Sequence, residues 1–182
     1  MIRQSANQTR NAQEFEARIR DRIMALARSH DLLVSHDWHG APIQDVLTAQ
    51  SEGFEPQTRM TASGPAVLLT PMAVQYLGMA FHELGMKALG RGVQVQGGAQ
   101  IAVSWDLVDR KGGVQWLELR WSETGGQTVT ETTPDGFATT LLEKITPAAL
   151  GGTGELQRTR DGFSWDLRAP LHLLVHEPLK IE

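Results

Sequence analysis

Glu83, Glu123 and the glycines that follow the second acid are the residues of this chain best placed to do chemistry. Glu83 lies in AVQYLGMAFHELGMKALGRG (73–92), directly after His82 and four residues before Lys87, so acid and ammonium sit one helical turn apart. Glu123 lies in LRWSETGG (119–126). There Leu117, Leu119 and Trp121 alternate with Glu118 and Arg120, a strand pattern that delivers Glu123, Gly125 and Gly126 to the strand's end. A helix carrying one acid, beside a strand ending in a second acid and two glycines, can hold a nucleotide. A carboxylate near phosphate is repelled unless a cation intervenes, so Glu83 in that role needs Mg²⁺ or Lys87 close by.

The elements that must position these residues are legible around them. Thr70-Pro71 reads as a helix start, a capping hydroxyl followed by a proline whose missing N–H costs nothing there. Ala73, Leu77, Phe81, Leu84 and Ala88 then form one apolar stripe at spacings of three and four. The expected order is a short strand at Val67 to Leu69, a helix over 71–89, strands over 99–108 and 115–121, a helix over 136–145, and strands over 154–159 and 163–169. Arg110 to Gly113 and Asp161-Gly162 read as hairpin turns. Such an order fits one mostly antiparallel sheet with helices on one face, an α/β sandwich. LHLLV, from Leu171, could extend the sheet edge or lie on a helical bundle.

Upstream, Phe15, Ile19, Ile23, Leu26, His30 and Leu33 define a long amphipathic helix over about 11–35, with residues 1–9 read as the end of a second helix. A lone amphipathic helix cannot bury its stripe unaided, so it needs another helix or a partner subunit. HGAP (39–42) reads as a turn, and Ile43, Val46 and Leu47 as a short helix before a break at Gly53 to Pro56. These signals divide the chain into a helical arm over 1–55 and a nucleotide-binding unit over 56–182. His30 falls on the stripe and reads as a packing histidine rather than a phosphoacceptor. His30, His36 and His39 lack the spacing of a zinc site.

HELGMKALGRG, WSETGG and DGF, in that order, resemble the N, G1 and G2 boxes of bacterial HWE-type sensor histidine kinases and their HisKA-2 relatives. LARSHDLLVSHDWHGAPIQDVL resembles the same family's link between dimerisation helices and ATPase domain. The resemblance implies an α+β protein, a helical dimerisation hairpin followed by a GHKL/Bergerat-type sandwich. It implies ATP or ADP as ligand, a homodimer through the arm, and a response-regulator receiver domain as partner. It also implies roles. Glu83 positions or activates the attacking group, with His82 either contacting the phosphates or packing in the core near them. Glu123 accepts from the adenine 6-amino group, and Gly125 and Gly126 let the backbone pass beneath the ring. Gly136 opens a helix whose amides could receive a phosphate. Trp121 and Phe137 read as core supports, and QTVTETTPD as a lid.

Departures from the family pattern bear on competence. Lys87 stands where the family has a Mg²⁺-binding asparagine, Gly90 and Arg91 where it has lysine and an aromatic, and Ala138 where it has glycine. No histidine precedes His30, whereas the resemblance places the phosphoacceptor upstream of IRQSANQTR. Two readings follow: a histidine-kinase core, degenerate to some degree and weak in Mg²⁺ binding, or a non-catalytic dimeric adaptor or pseudokinase that docks a response regulator.

Composition narrows the alternatives. The 182 residues are 41% hydrophobic and 21% charged, the balance of a globular protein rather than a disordered one. A net charge of -4 offers no polycationic surface, which argues against nucleic acid. There is no cysteine, so thiolate metal sites and cysteine catalysis are excluded. No apolar run suits a membrane span or a signal peptide, and a cytoplasmic location without membrane contact is the expectation.

Overall fold

A computed structural model of the chain describes residues 2–51, 59–90, 100–110, 113–124, 136–159 and 162–175. The arm is one continuous helix, α1 (Ile2–Ser35). The expected helix end before residue 10 is therefore not present, since nothing between Gln8 and Ala12 breaks a helix. After α1 come β1 (Ala41–Pro42) and α2 (Ile43–Ser51). Then follow β2 (Arg59–Ser63), β3 (Leu68–Leu69) and α3 (Pro71–Gly90), and after them β4 (Gln100–Arg110) and β5 (Val114–Thr124).

The next segment is helical throughout but not uniform: α4 (Gly136–Thr140), a π-helical turn at Leu141–Ile145, and α5 (Thr146–Ala149). Pro147 accounts for the widened turn. It lacks an N–H, and its ring crowds the carbonyl four residues back. The Thr146 N–H accordingly reaches the Leu141 carbonyl, and the Leu142 carbonyl accepts from Trp165 Nε1 at 2.9 Å. The chain continues with β6 (Thr153–Thr159), β7 (Gly162–Pro170) and a helical turn, α6 (Leu171–Leu174).

The main sheet has strand order β2-β4-β5-β7-β6. All pairings are antiparallel except β2 with β4, which is parallel and pairs Arg59 with Gln100 through Ser63 with Ser104. Sequence reading missed β2, because RMTAS is too short and too polar to show alternation. A second, two-stranded sheet pairs Ala41 with Leu69 and Pro42 with Leu68, so HGAP leads straight into a strand. Gly40 makes this possible: its φ is +99°, and a Cβ there would run into the Leu69 carbonyl oxygen. LHLLV neither extends the sheet nor joins a bundle. It turns at the foot of α3, where Thr70 N–H donates to the Leu174 carbonyl at 2.7 Å.

The core lies between the sheet and α3. Ala73, Leu77, Phe81, Leu84 and Ala88 are all fully buried, as the stripe requires. Against them pack Ile101, Val103 and Trp105 from β4, Leu117, Leu119 and Trp121 from β5, and Trp165 and Leu167 from β7. The Thr70 cap forms as expected, its Oγ1 accepting from Ala73 N–H at 3.3 Å.

The arm's stripe does not behave as one face. Leu33 is buried, but Phe15, Ile19, Ile23 and Leu26 are 65%, 40%, 58% and 42% exposed, and His30 is exposed with its ring edge-on to Trp38 at 4.8 Å. The face that packs on α3 is the neighbouring one, carrying Arg22, Ala25, Ser29 and Leu33. It is small and polar, which lets the two helix backbones come close. Gly78 of α3 faces Ser29, and a Cβ on it would overlap the hydroxyl. Gln50 of α2 closes the junction, donating to the Ala25 carbonyl and to Ser29 Oγ, each at 3.0 Å.

Candidate functional site

The hydrophobic stripe of α3 turns Phe81 into the core, which leaves His82 and Glu83 on the adjoining face toward α1. Both are buried nonetheless, at 5% and 8% exposure. Buried polar groups need partners, and α1 supplies them. Arg22 grips Glu83 as a fork, Nε to Oε1 at 2.6 Å and Nη2 to Oε2 at 3.3 Å. Arg28 Nη2 lies 3.2 Å from His82 Nδ1, and its Nε donates to Gln50 Oε1 at 3.3 Å. A guanidinium only donates, so the Arg28 contact makes His82 Nδ1 the acceptor and leaves the ring proton on Nε2. Burial, and after it the charge of Arg28, lowers the His82 pKa below the ordinary 6.5, so the ring is neutral.

Arg22 also stacks its guanidinium on the Phe137 ring, 3.9 Å from the centroid. Phe137 is 44% exposed and is not the core anchor expected of it; Ala138, next along α4, takes the buried position. The sequence offers Mg²⁺ or Lys87 as the cation beside Glu83. The structure adds Arg22, a residue 61 positions away. One signal for it was available: Arg22 has no acid three or four residues to either side, so its charge was unanswered on its own helix. Lys87 is half-buried in the last turn of α3, its Nζ 5.9 Å from the Phe163 ring centroid.

Glu123 lies near the end of β5 opposite Ile101 and is 3% exposed. Its Oε1 accepts from Trp121 Nε1 at 3.1 Å. The Trp121 ring in turn stacks on Phe81, centroids 6.3 Å apart and planes 21° off parallel. Trp121 is therefore the core support that sequence suggested, and also the residue that fixes the acid, a role the sequence did not announce. Phe81, Trp121 and Glu123 thus link the helix and the strand that carry the two candidate acids. Gly125 and Gly126 lie outside the described residues, as does the QTVTETTPD stretch. Gly136 is exposed, and a Cβ there would meet nothing within 4 Å. Among the described residues no three His, Cys, Asp or Glu side chains cluster as metal ligands.

Comparison with known proteins bears on this geometry. The HWE histidine kinase family matches residues 1–66. A blue-light-activated histidine kinase of Brucella anthropi is 29% identical over 177 residues, covering 94% of this chain. That of Brucella ovis matches to the same extent. The chain spans 36% of the length of these relatives. Among solved structures, the blue-light-activated histidine kinase of Erythrobacter litoralis superposes with a TM-score of 0.59 at 14% identity, over 87% of this chain and 50% of that one. The catalytic domain of histidine kinase ThkA superposes with a TM-score of 0.51 at 11% identity, over 71% of this chain and 93% of that one.

A helical region leading into a mixed α/β sheet defines the class of fold: it matches the GHKL/Bergerat architecture of histidine-kinase ATPase domains. Within the class, the chain's resemblance is to the HWE kinases and their HisKA-2 relatives. No described helix is long and apolar enough to cross a membrane.

Proposed function

We propose that this chain is the nucleotide-binding core of a two-component signalling kinase, with adenine held at Glu123 and the phosphates directed toward α3. The observation that carries this is the buried Glu123 carboxylate, held by Trp121 and tied through Phe81 to the helix that bears His82 and Glu83. A fixed, buried acceptor selects an exocyclic amine over a carbonyl, because a carbonyl would leave both groups unsatisfied. In this reading Gly125 and Gly126 allow the close approach of the base. Glu83 acts on the attacking group, and the γ-phosphoryl passes to a histidine and then to a response-regulator aspartate. Mg²⁺ does not fit the Lys87 position, since an ammonium has three donors and no acceptor. Nucleotide binding is accordingly Mg²⁺-independent in large part, with Lys87 on the phosphates. The arm pairs with a second copy through Phe15, Ile19, Ile23 and Leu26, all exposed. Lys87 also supports the second reading, a pseudokinase or dimeric adaptor that signals by docking a response regulator.

Titration calorimetry with ATP and ADP, with Mg²⁺ and then with chelator, tests the proposal. Glu123→Gln replaces part of the acceptor set by a donor and should weaken both nucleotides by about 1 to 3 kcal/mol. Failure of the unmodified chain to bind either nucleotide rejects the nucleotide reading and leaves the adaptor.

A further inference from the structure

The polar network between arm and ATPase fold converges on the two side chains read as chemical, His82 and Glu83. Both Glu83 oxygens are engaged by one guanidinium, and that guanidinium is braced from a third element by Phe137. Arg22 is thus wedged between α3 and α4, with its side chain 31% exposed and that of Glu83 only 10%. A carboxylate bonded in this way has one lone pair of each oxygen committed to the guanidinium, which leaves less of it open to an attacking group.

We propose that Arg22 is an intramolecular cap on Glu83, so that the arm holds the acid unavailable as a base until the guanidinium is withdrawn. The inference rests on the reading of Glu83 as the residue that activates the nucleophile. Two features give the cap a means of release. Arg22 stands beside Ile19 and Ile23 on the exposed stripe, so a partner seated on that stripe bears on the residue next to the latch. The exit of α1 is the other: Asp37 and Trp38 both hold positive φ, at 51° and 62°, and Gly40 follows at 99°. Two non-glycine residues in the left-handed region store strain where the arm would pivot.

The step that uncapping exposes can be followed with water as nucleophile. Its oxygen bonds to the γ-phosphorus, Glu83 takes the proton, and the bond to the β–γ bridging oxygen breaks with its electron pair leaving on ADP. The full chain, Arg22→Gln, Arg22→Lys, Glu83→Gln and the Arg22→Gln/Glu83→Gln pair are compared for ATP turnover, ATP binding by calorimetry and thermal unfolding. Arg22→Gln should turn over ATP about ten-fold or more faster than the unmodified chain, part of the ~100- to 10,000-fold that a general base contributes. Arg22→Lys, which keeps the charge but loses the fork, should fall between, and the double variant should lose the gain. If Arg22→Gln does not fold, Arg22→Lys carries the comparison. Variants that bind ATP but turn it over no faster than the unmodified chain overturn the cap while leaving the nucleotide reading intact. A gain that survives in the double variant overturns it too, because Glu83 is then not the group released. Absence of ATP binding from every protein, the unmodified chain included, refutes the nucleotide reading and the cap with it.

Discussion

Replacing Gly78 by alanine tests whether the close approach of α1 to α3 is what seats the arm. In an isolated helix the change would stabilise by about 1 kcal/mol, since glycine is the poorer helix former. Here the new methyl would overlap Ser29 Oγ and lie 3.2 Å from Gln50 Nε2. Either the hydroxyl rotates away from Gln50 or the helices separate. Overpacking of this kind costs roughly 1 to 3 kcal/mol, and each displaced hydrogen bond of Gln50 about 0.5 to 1.5 kcal/mol. Strain therefore exceeds propensity, and Gly78→Ala should lose about 1 to 3 kcal/mol. Ser29→Ala removes the obstructing oxygen and leaves Ser29 Cβ 3.5 Å from the new methyl, an ordinary contact. The double variant should therefore lie within ~1 kcal/mol of Ser29→Ala alone, its helix-propensity gain offsetting the residual crowding. Urea unfolding followed by far-ultraviolet circular dichroism measures all four proteins. Effects that add within ~0.5 kcal/mol would show that the two residues do not meet.

Three further outcomes follow. Lys87→Asn restores a neutral oxygen ligand and should make nucleotide binding Mg²⁺-dependent; a strong Mg²⁺ requirement in the unmodified chain would already refute the role given to the lysine. The exposed stripe offers four large side chains per copy, each worth about 1.5 to 3 kcal/mol when buried. The chain should sediment as a dimer and Ile19→Glu/Ile23→Glu as a monomer, whereas an unmodified chain monomeric at high micromolar concentration rejects the interface. His82, with its pKa lowered by burial and then by Arg28, should titrate below 6.5 in the folded protein. The unfolded chain then binds this proton first, so stability falls as pH drops from 6.5 and levels off below the folded value. Ring resonances that titrate identically in Arg28→Gln would refute the charge contribution.

What could be read from sequence was what local periodicity encodes. The α3 stripe has the helical repeat and its cap, and β5 alternates cleanly, so both elements and the burial of Phe81 and Trp121 were legible. The contacts that matter at the site were not, because they join residues remote in sequence. Arg22 reaches Glu83 across 61 positions and Arg28 reaches His82 across 54. The arm shows the limit in another way. Its most apolar stripe is the exposed one, while the face that packs is marked by Ala25 and Ser29, small residues whose value depends on Gly78 opposite. Phe137 misled for the same reason: an aromatic in a helix reads as core until an arginine from another helix is found on its ring.

The small β1–β3 sheet sets where this chain could be recombined with others. Ala41 and Pro42 belong by sequence to the arm, yet they pair with Leu68 and Leu69, and Ile43 N–H donates to the Val67 carbonyl at 3.2 Å. A chimera joined at residue 55 would import a foreign β1 and α2, and β3 would face a strand it was not selected to pair with. The seam that keeps every backbone bond of the ATPase fold lies earlier, between Ser35 and Gly40, where the chain already departs from regular structure. Exchanged there, helices from other proteins would arrive on an intact platform, with the face carrying Arg22, Ala25, Arg28, Ser29 and Leu33 left to be matched.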